Sequence, residues 1–249
     1  MPYNFTISPD FSPVRMSDWF VFNTWLQGTL KEQIHLELFS SFDAQHKAIQ
    51  ENQVDLIYCN PYEASRLIRE KGFIPLARPK NESDEAIIAV KKESPLKAVE
   101  DLKPGIKIST TDDPDVHMIA MIMIEPADLN KSNTTISIKD SYTSIAQDLL
   151  SGNADLGFFL KNTYGELSEY IKNSLRILVT SNIYLVHHAL LVGPKMAHKK
   201  DAILSVLLAM PSNPESKSIV EGLGFSAWEQ VSQEDIEFMI DLMDTLIVK

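Results

Sequence analysis

The stretch Gln53-Val54-Asp55-Leu56-Ile57-Tyr58-Cys59-Asn60-Pro61-Tyr62-Glu63-Ala64-Ser65-Arg66-Leu67-Ile68 decides how the rest of the chain is read. Residues 54–58 are apolar and β-favouring, the composition of a strand buried on both faces. Asn60-Pro61 ends that strand and opens a helix. Pro61 suits the first helical turn, because its fixed φ is helical and its missing N–H would be unpaired there anyway. Asn60 is the natural N-cap, with a side-chain oxygen to accept a free N–H. A strand end that feeds a helix start is where open α/β sheets bind ligands, since backbone N–H groups there point into a crevice. A buried strand followed by a capped helix, with no ligand, is the plainer reading of this stretch alone.

The same grammar recurs in Asn153-Ala154-Asp155-Leu156-Gly157-Phe158-Phe159-Leu160-Lys161-Asn162-Thr163-Tyr164. A helix over 141–150 stops at Ser151-Gly152, Asp155 precedes an apolar strand, and a polar-aromatic turn follows. In the first copy, a helix over 42–51 with Ala44, Ala48 and Ile49 in its apolar stripe leads into Asp55. Two such units predict two lobes of similar construction.

Outward from these units, strands and helices alternate. Strands are expected over 3–7, 34–38, 74–77, 85–90, 106–108, 134–138, 175–179 and 186–192. Helices are expected over 18–30, 61–71, 94–102, 116–124, 197–210, 214–221 and 232–247. The helix over 116–124 is apolar all round and reads as buried on every side. Alternating elements predict mostly parallel sheets flanked by helices. The first lobe lacks covering helices until the C-terminal part supplies three, so one lobe interrupts the other. The expected division places residues 1–88 and 190–249 in the first lobe and 89–189 in the second, with the strands over 85–90 and 187–192 as two hinge crossings.

A chain of 249 residues is comfortable for two such lobes. Its net charge of −11 argues against a nucleic-acid partner, which needs clustered Lys and Arg. One cysteine, Cys59, rules out an internal disulfide and a Cys-based zinc site. No apolar run approaches the length of a membrane span. The start Met1-Pro2-Tyr3-Asn4-Phe5 enters a strand without a signal-like segment, so the protein as written reads as cytoplasmic, or as periplasmic if the chain is a mature form. No Ser-His-Asp spacing, Gly-rich phosphate loop or metal-binding His pair is present, and no cofactor or metal is implied.

With these elements in place, the chain resembles the phosphate/phosphite/phosphonate substrate-binding proteins of ABC transporters, which have the two-lobed type II periplasmic-binding-protein-like fold. The residues that carry the resemblance are 54–58 with Pro61-Tyr62, 70–77, 90–96 with Val99, Asp101, Leu102 and Lys103, and then Gly152-Asn153-Ala154-Asp155-Leu156-Gly157, Asn162-Thr163-Tyr164 and 175–178. The resemblance implies a non-catalytic binder. It would close two lobes around a small polar or anionic ligand, for transport or sensing, with a transporter permease or a sensor protein as partner. The alternative is a cytosolic type II-lobed enzyme or sensing module acting on a small carboxylate or amine-bearing metabolite.

Three positions depart from the family pattern. Thr110-Thr111-Asp112-Asp113-Pro114-Asp115-Val116-His117 puts three carboxylates where the family has a Ser/Thr-rich turn containing Gly. Asn60 stands where Gly is usual, and Tyr142 follows Ser141 where His is often found. The carboxylates read either as helix N-terminal charges or as ligands for a cation or ammonium group. The expected ligand-binding residues are Asp10, Phe11, Ser41, Asn60, Tyr62, Thr110, Thr111, His117, Ser141, Tyr142, Phe159 and Tyr164, in loops over 9–12, 40–42, 60–62, 110–117, 141–142 and 159–164 that should converge on one cleft. Of His187 and His188, strand alternation lets at most one face that cleft. Cys59 reads as a small buried residue or as a thiol for a soft oxyanion. Trp19, Phe22 and Trp25 read as core.

Overall fold

The computed structural model describes residues 2–11 and 13–247. It divides into two units: one takes the chain up to Ser83 and again over His187–Thr245, and the other takes Asp84–Val186. The elements in chain order are β1 (Tyr3–Ile7), α1 (Met16–Leu30), β2 (Ile34–Leu38), α2 (Phe42–Gln50), β3 (Leu56–Cys59), α3 (Pro61–Lys71), β4 (Ile74–Pro79), β5 (Ala86–Lys91), β6 (Lys107–Thr110), α4 (Pro114–Ile124), β7 (Thr135–Ile138), α5 (Tyr142–Ser151), β8 (Leu156–Leu160), α6 (Lys161–Gly165), α7 (Glu169–Ser174), β9 (Leu175–Thr180), β10 (Ala189–Val192), α8 (Lys200–Ala209), α9 (Pro214–Gly222), β11 (Trp228–Gln230) and α10 (Gln233–Ile247).

The first unit is built on a six-stranded sheet in the order β11-β4-β10-β3-β1-β2. Its central strands are buried on both faces, as residues 54–58 foretold. Leu56 and Tyr58 point into a core with Phe5, Trp19, Phe22 and Trp228, while Ile57 and Cys59 point into a second core with Ala64, Leu67, Ile236 and Met239. Cys59 is thus a packing residue, out of reach of a soft oxyanion. The second unit carries a five-stranded sheet, β7-β6-β8-β5-β9.

The repeated aspartate has one job in both units. Asp55 Oδ2 accepts the Asn4 N–H at 2.9 Å where β1 begins, and Asp155 Oδ2 accepts the Lys107 N–H at 2.9 Å where β6 begins. Each carboxylate satisfies an otherwise orphaned donor at a strand start. The caps also follow the sequence. The side chains of Ser41, Asn60 and Ser141 accept the N–H groups of Ala44, Glu63 and Ser144. Gly72 and Gly152 end α3 and α5 with φ of 68° and 75°, a region that glycine enters without strain.

Four expectations need correction. The sheets are mixed, not mostly parallel: β1–β2, β1–β3, β6–β7 and β6–β8 are parallel, while β10 runs antiparallel to β3 and β4, and β5 antiparallel to β8 and β9. Neither β5 nor β10 reaches its neighbours through a βαβ crossover, so nothing enforces parallel pairing. The division falls at Ser83/Asp84 and Val186/His187, ahead of the expected 88/89 and 189/190, because β5 pairs wholly within the second sheet and β10 wholly within the first. The expected helix over 94–102 shrinks to a single 3₁₀ turn, Val99–Asp101. Finally, α4 is not buried all round. Val116, Ile119, Ala120 and Ile124 are buried, whereas Met118, Met121, Ile122 and Met123 are only partly so, because a helix lying on a sheet presents one stripe to it.

Candidate functional site

In the first unit, the C-terminal end of β1 and the start of α3 are tied together by buried polar side chains. The Asn60 N–H donates to Ser8 Oγ at 3.2 Å. Asn60 caps α3, its Oδ1 accepting the Glu63 N–H at 2.9 Å, and its Nδ2 donates to Asp10 Oδ2 at 3.1 Å. His188 Nε2 lies 3.2 Å from the same Asp10 oxygen, and its ring stacks on Tyr58 at 5.2 Å. Gln45 holds α2 against the end of β1, donating from Nε2 to Ile7 O at 2.8 Å. His46 of α2 reaches the buried Glu63 of α3. Three strand ends and two helix N-termini thus meet in one cluster.

In the second unit, the equivalent cluster is aromatic. The Asp113 side chain caps α4, its Oδ1 accepting the N–H groups of Asp115 and Val116 at 3.1 and 3.2 Å. Its other oxygen accepts the Tyr142 O–H at 3.0 Å. The Tyr142 ring stacks on Phe159 at 6.0 Å, and Phe159 meets Tyr164 edge-on at 5.2 Å. Burial pushes the Tyr164 phenol above its ordinary range, so it stays a neutral hydroxyl. The Thr110 carbonyl accepts the Lys139 N–H at 2.8 Å. Thr110 is buried with no partner for its hydroxyl oxygen among the described residues, and Thr111 Oγ1 accepts the Asp113 N–H at 3.4 Å.

The structure brings Asp10 and Asn60 together in the first unit, and Thr110, Thr111, Tyr142, Phe159 and Tyr164 in the second. Ser41 and Ser141 cap α2 and α5. Tyr62 sits on the first turn of α3 and is 39% exposed. Phe11 packs against the first unit's core, and Phe159 is fully buried, so both fill space instead of presenting a polar group. Ser12, in the loop expected over 9–12, lies outside the described residues. His117 packs on Phe158, whose side chain leaves β8 on the face opposite to Phe159. Burial, with Lys131 nearby, lowers its pKa, so the imidazole is neutral. The three carboxylates of the 110–117 loop differ. Asp112 is exposed, Asp113 is spent on a cap and a tyrosine, and Asp115 is buried. The reading of a helix N-terminal charge fits Asp113 by direct geometry.

Sequence reasoning did not single out Ser8, Glu63 or His46. Alternation allowed one of the two adjacent histidines to face the cluster without saying which. Glu63 reads in sequence as an ordinary first-turn acid. In the fold, burial raises its pKa, with His46 and Arg66 pulling it part of the way back. A raised carboxyl favours the folded state fully only while the group is protonated, and this contribution fades as pH rises through the folded value. Glu63→Gln should therefore gain stability relative to the parent between about pH 4 and about pH 8. Urea unfolding at both pH values measures this, and a gap independent of pH would contradict it.

A model of the family described as "ABC transporter, phosphonate, periplasmic substrate-binding protein" matches residues 5–236. No curated protein matches the sequence significantly. Among solved structures, PhnD1 from Prochlorococcus marinus in complex with methylphosphonate superposes with a TM-score of 0.84 at 12% identity, over 98% of this chain and 97% of that one. A binding-protein component of an ABC phosphonate transporter from Pseudomonas aeruginosa gives 0.80 at 14% identity, over 98% and 87%. The periplasmic aliphatic sulphonate-binding protein SsuA from Escherichia coli gives 0.68 at 14% identity, over 99% and 88%.

Proposed function

The chain belongs to the phosphonate family of ABC-transporter periplasmic substrate-binding proteins, and on that premise we propose that its ligand is a small phosphonate- or phosphate-like oxyanion held by uncharged donors. Members of the family are non-catalytic binders of small ligands. The observation that supports the finer reading is the character of the strand-end loops. Segments 8–11, 40–43, 59–63 and 110–117 contain no Lys or Arg. The last three lead into α2, α3 and α4, and residue 141 caps α5; α2, α3 and α5 keep first-turn N–H groups beyond the one that the cap satisfies, whereas in α4 Pro114 has none and Asp113 takes those of Asp115 and Val116. Such N-termini carry partial positive charge and bind oxyanions without a formal cation. Hydroxyls at Thr110, Thr111 and Ser141 add donors that rotate to suit. A transporter permease is the partner this reading calls for, and delivery to it is the purpose of binding.

Isothermal titration with methylphosphonate, phosphate, sulfate, nitrate and arsenite tests the proposal. Methylphosphonate or phosphate should bind with Kd of about 10 μM or tighter, near −7 kcal/mol or better. Heat from none of the five would overturn it. Asp112→Asn, at an exposed carboxylate, should alter the affinity by less than about two-fold, and this change should vanish in high salt. Loss of binding in that variant would make Asp112 a ligand and would favour an amine-bearing substrate.

A further inference from the structure

We propose that α4 carries a site for a soft monovalent cation, Cu(I) or Ag(I), held by the imidazole of His117 and the thioethers of Met118 and Met121. The stripe that α4 buries includes Val116, Ile119, Ala120 and Ile124. His117 sits at the border of that stripe, its ring 6.2 Å from the ring of Phe158. Met118 and Met121 lie farther out, and all three side chains are only partly buried. At about 100° per residue, Met121 stands about 40° around the helix axis from His117 and about 60° from Met118. These are the i,i+4 and i,i+3 neighbours whose side chains meet over one turn. The long, unbranched arms of the two methionines let their sulfurs swing toward the ring.

The donor set decides the ion. Methionine is a filler of irregular gaps in cores, yet Met118 and Met121 stand off the stripe that does the packing. Thioether sulfur selects Cu(I) over harder cations, and imidazole accepts the same metal. An imidazole must be neutral to bind a metal. Burial, with Lys131 nearby, keeps His117 in that state. Its ring nitrogens make no hydrogen bond to a described residue, so one is open to a metal. Three neutral ligands leave a single positive charge on the site. Lys131 opposes that charge, and the exposed Glu125, one turn beyond Met121, offsets the opposition. Among the described residues, no three His, Cys, Asp or Glu side chains gather to hold a harder ion. Cys59, the softest donor in the chain, is fully buried and does not compete in the folded protein.

The test titrates silver nitrate in chloride-free buffer into the full chain, with sodium nitrate as the blank. Its variants are the Met118→Leu, Met121→Leu double change and His117→Gln. Leucine replaces methionine at nearly constant volume, so the double variant keeps its packing. One Ag(I) should bind the parent with Kd of about 1 μM or tighter. Of the nine methionine methyl signals, those of Met118 and Met121 should shift in step with the titration. The double variant should bind at least about 100-fold more weakly, since losing even an outer-shell partner of a metal ligand costs about 10–100-fold. His117→Gln should weaken binding by at least about 10-fold. Shifts confined to other methionines, or no saturation below about 1 mM, overturn the inference. Unchanged affinity in the folded variants does the same. If a variant fails to fold, the methyl shifts of the parent still decide. The oxyanion reading rests on none of these three side chains and survives either result.

Discussion

Trp19→Ala should lower the unfolding free energy of the first unit by about 3–5 kcal/mol, the range for truncating a large buried aromatic. Trp19 is 2% exposed. Its ring lies 6.1 Å from Phe5, 5.6 Å from Phe22, 4.9 Å from Tyr58 and 6.1 Å from Phe225. It therefore joins α1 to β1, to β3 and to the segment after α9, and a cavity there cannot be closed by one neighbour moving. Contacts between aromatic rings add to the loss from burial alone. Phe20→Ala, one residue along the same helix but 47% exposed, should stay within about 0.5 kcal/mol of the parent. Chemical denaturation with separate reporters in each unit makes the measurement, since a chain of two units need not unfold in one step. Near-equal effects at positions 19 and 20 would mean that the core is not where the structure places it.

Glu85→Ala should cost about 2–5 kcal/mol, because it strips the acceptor from two backbone N–H groups at about 1–3 kcal/mol each when they stay buried. The Glu85 carboxylate accepts the N–H groups of Ile183 and Tyr184, at 2.9 and 2.8 Å, and the Ser181 hydroxyl. Tyr184 holds φ at 60°, a left-handed conformation that a tyrosine does not choose unaided. Glu85 thus fixes the turn just ahead of the point where the chain leaves the second unit at Val186. A second tie, from Asp84 N–H to Val186 O at 2.7 Å, lies beside it. Amide exchange at 183 and 184 should accelerate in the variant, while exchange in β6 and β8 should follow only the global change. A loss of stability under about 1 kcal/mol would show that water replaces the carboxylate with ease.

What the sequence revealed, and what it hid, divide along the range of the interactions. Caps are local, so Ser41, Asn60 and Ser141 could be read from their neighbours within a few positions. The repeat was legible because Asp55 and Asp155 each sit at a fixed offset from a buried strand, although the bonds from Asn4 and Lys107 that explain them span distant segments. Asp10 with His188, residues 178 positions apart, left no local trace, and neither did Asp113 with Tyr142. The acidic loop showed this limit most plainly. Asp112, Asp113 and Asp115 look alike in sequence, yet one is exposed, one caps a helix and one is buried. β11, three residues long, pairs with β4 at the edge of the sheet and has too few positions for an alternation to show. Antiparallel insertion of β5 and β10 was hidden for a different reason, since strand–helix alternation records the order of elements and not their direction.

The position of β10 sets an order on biosynthesis. β3 and β4 lie on either side of it and are bonded to it, not to each other. A chain emerging from the ribosome therefore makes β1 to β4 early but cannot join them into one sheet. The inserted run Asp84–Val186 emerges before residue 189 appears. Throughout that interval β3 and β4 have open edges, and Tyr58 and Leu76 lack the Leu190 and Val192 that share their core in the finished protein. Unpaired apolar strands of this kind are prone to join another chain. The nascent chain thus passes through a window in which its apolar strand edges are open to coalescing with neighbouring chains.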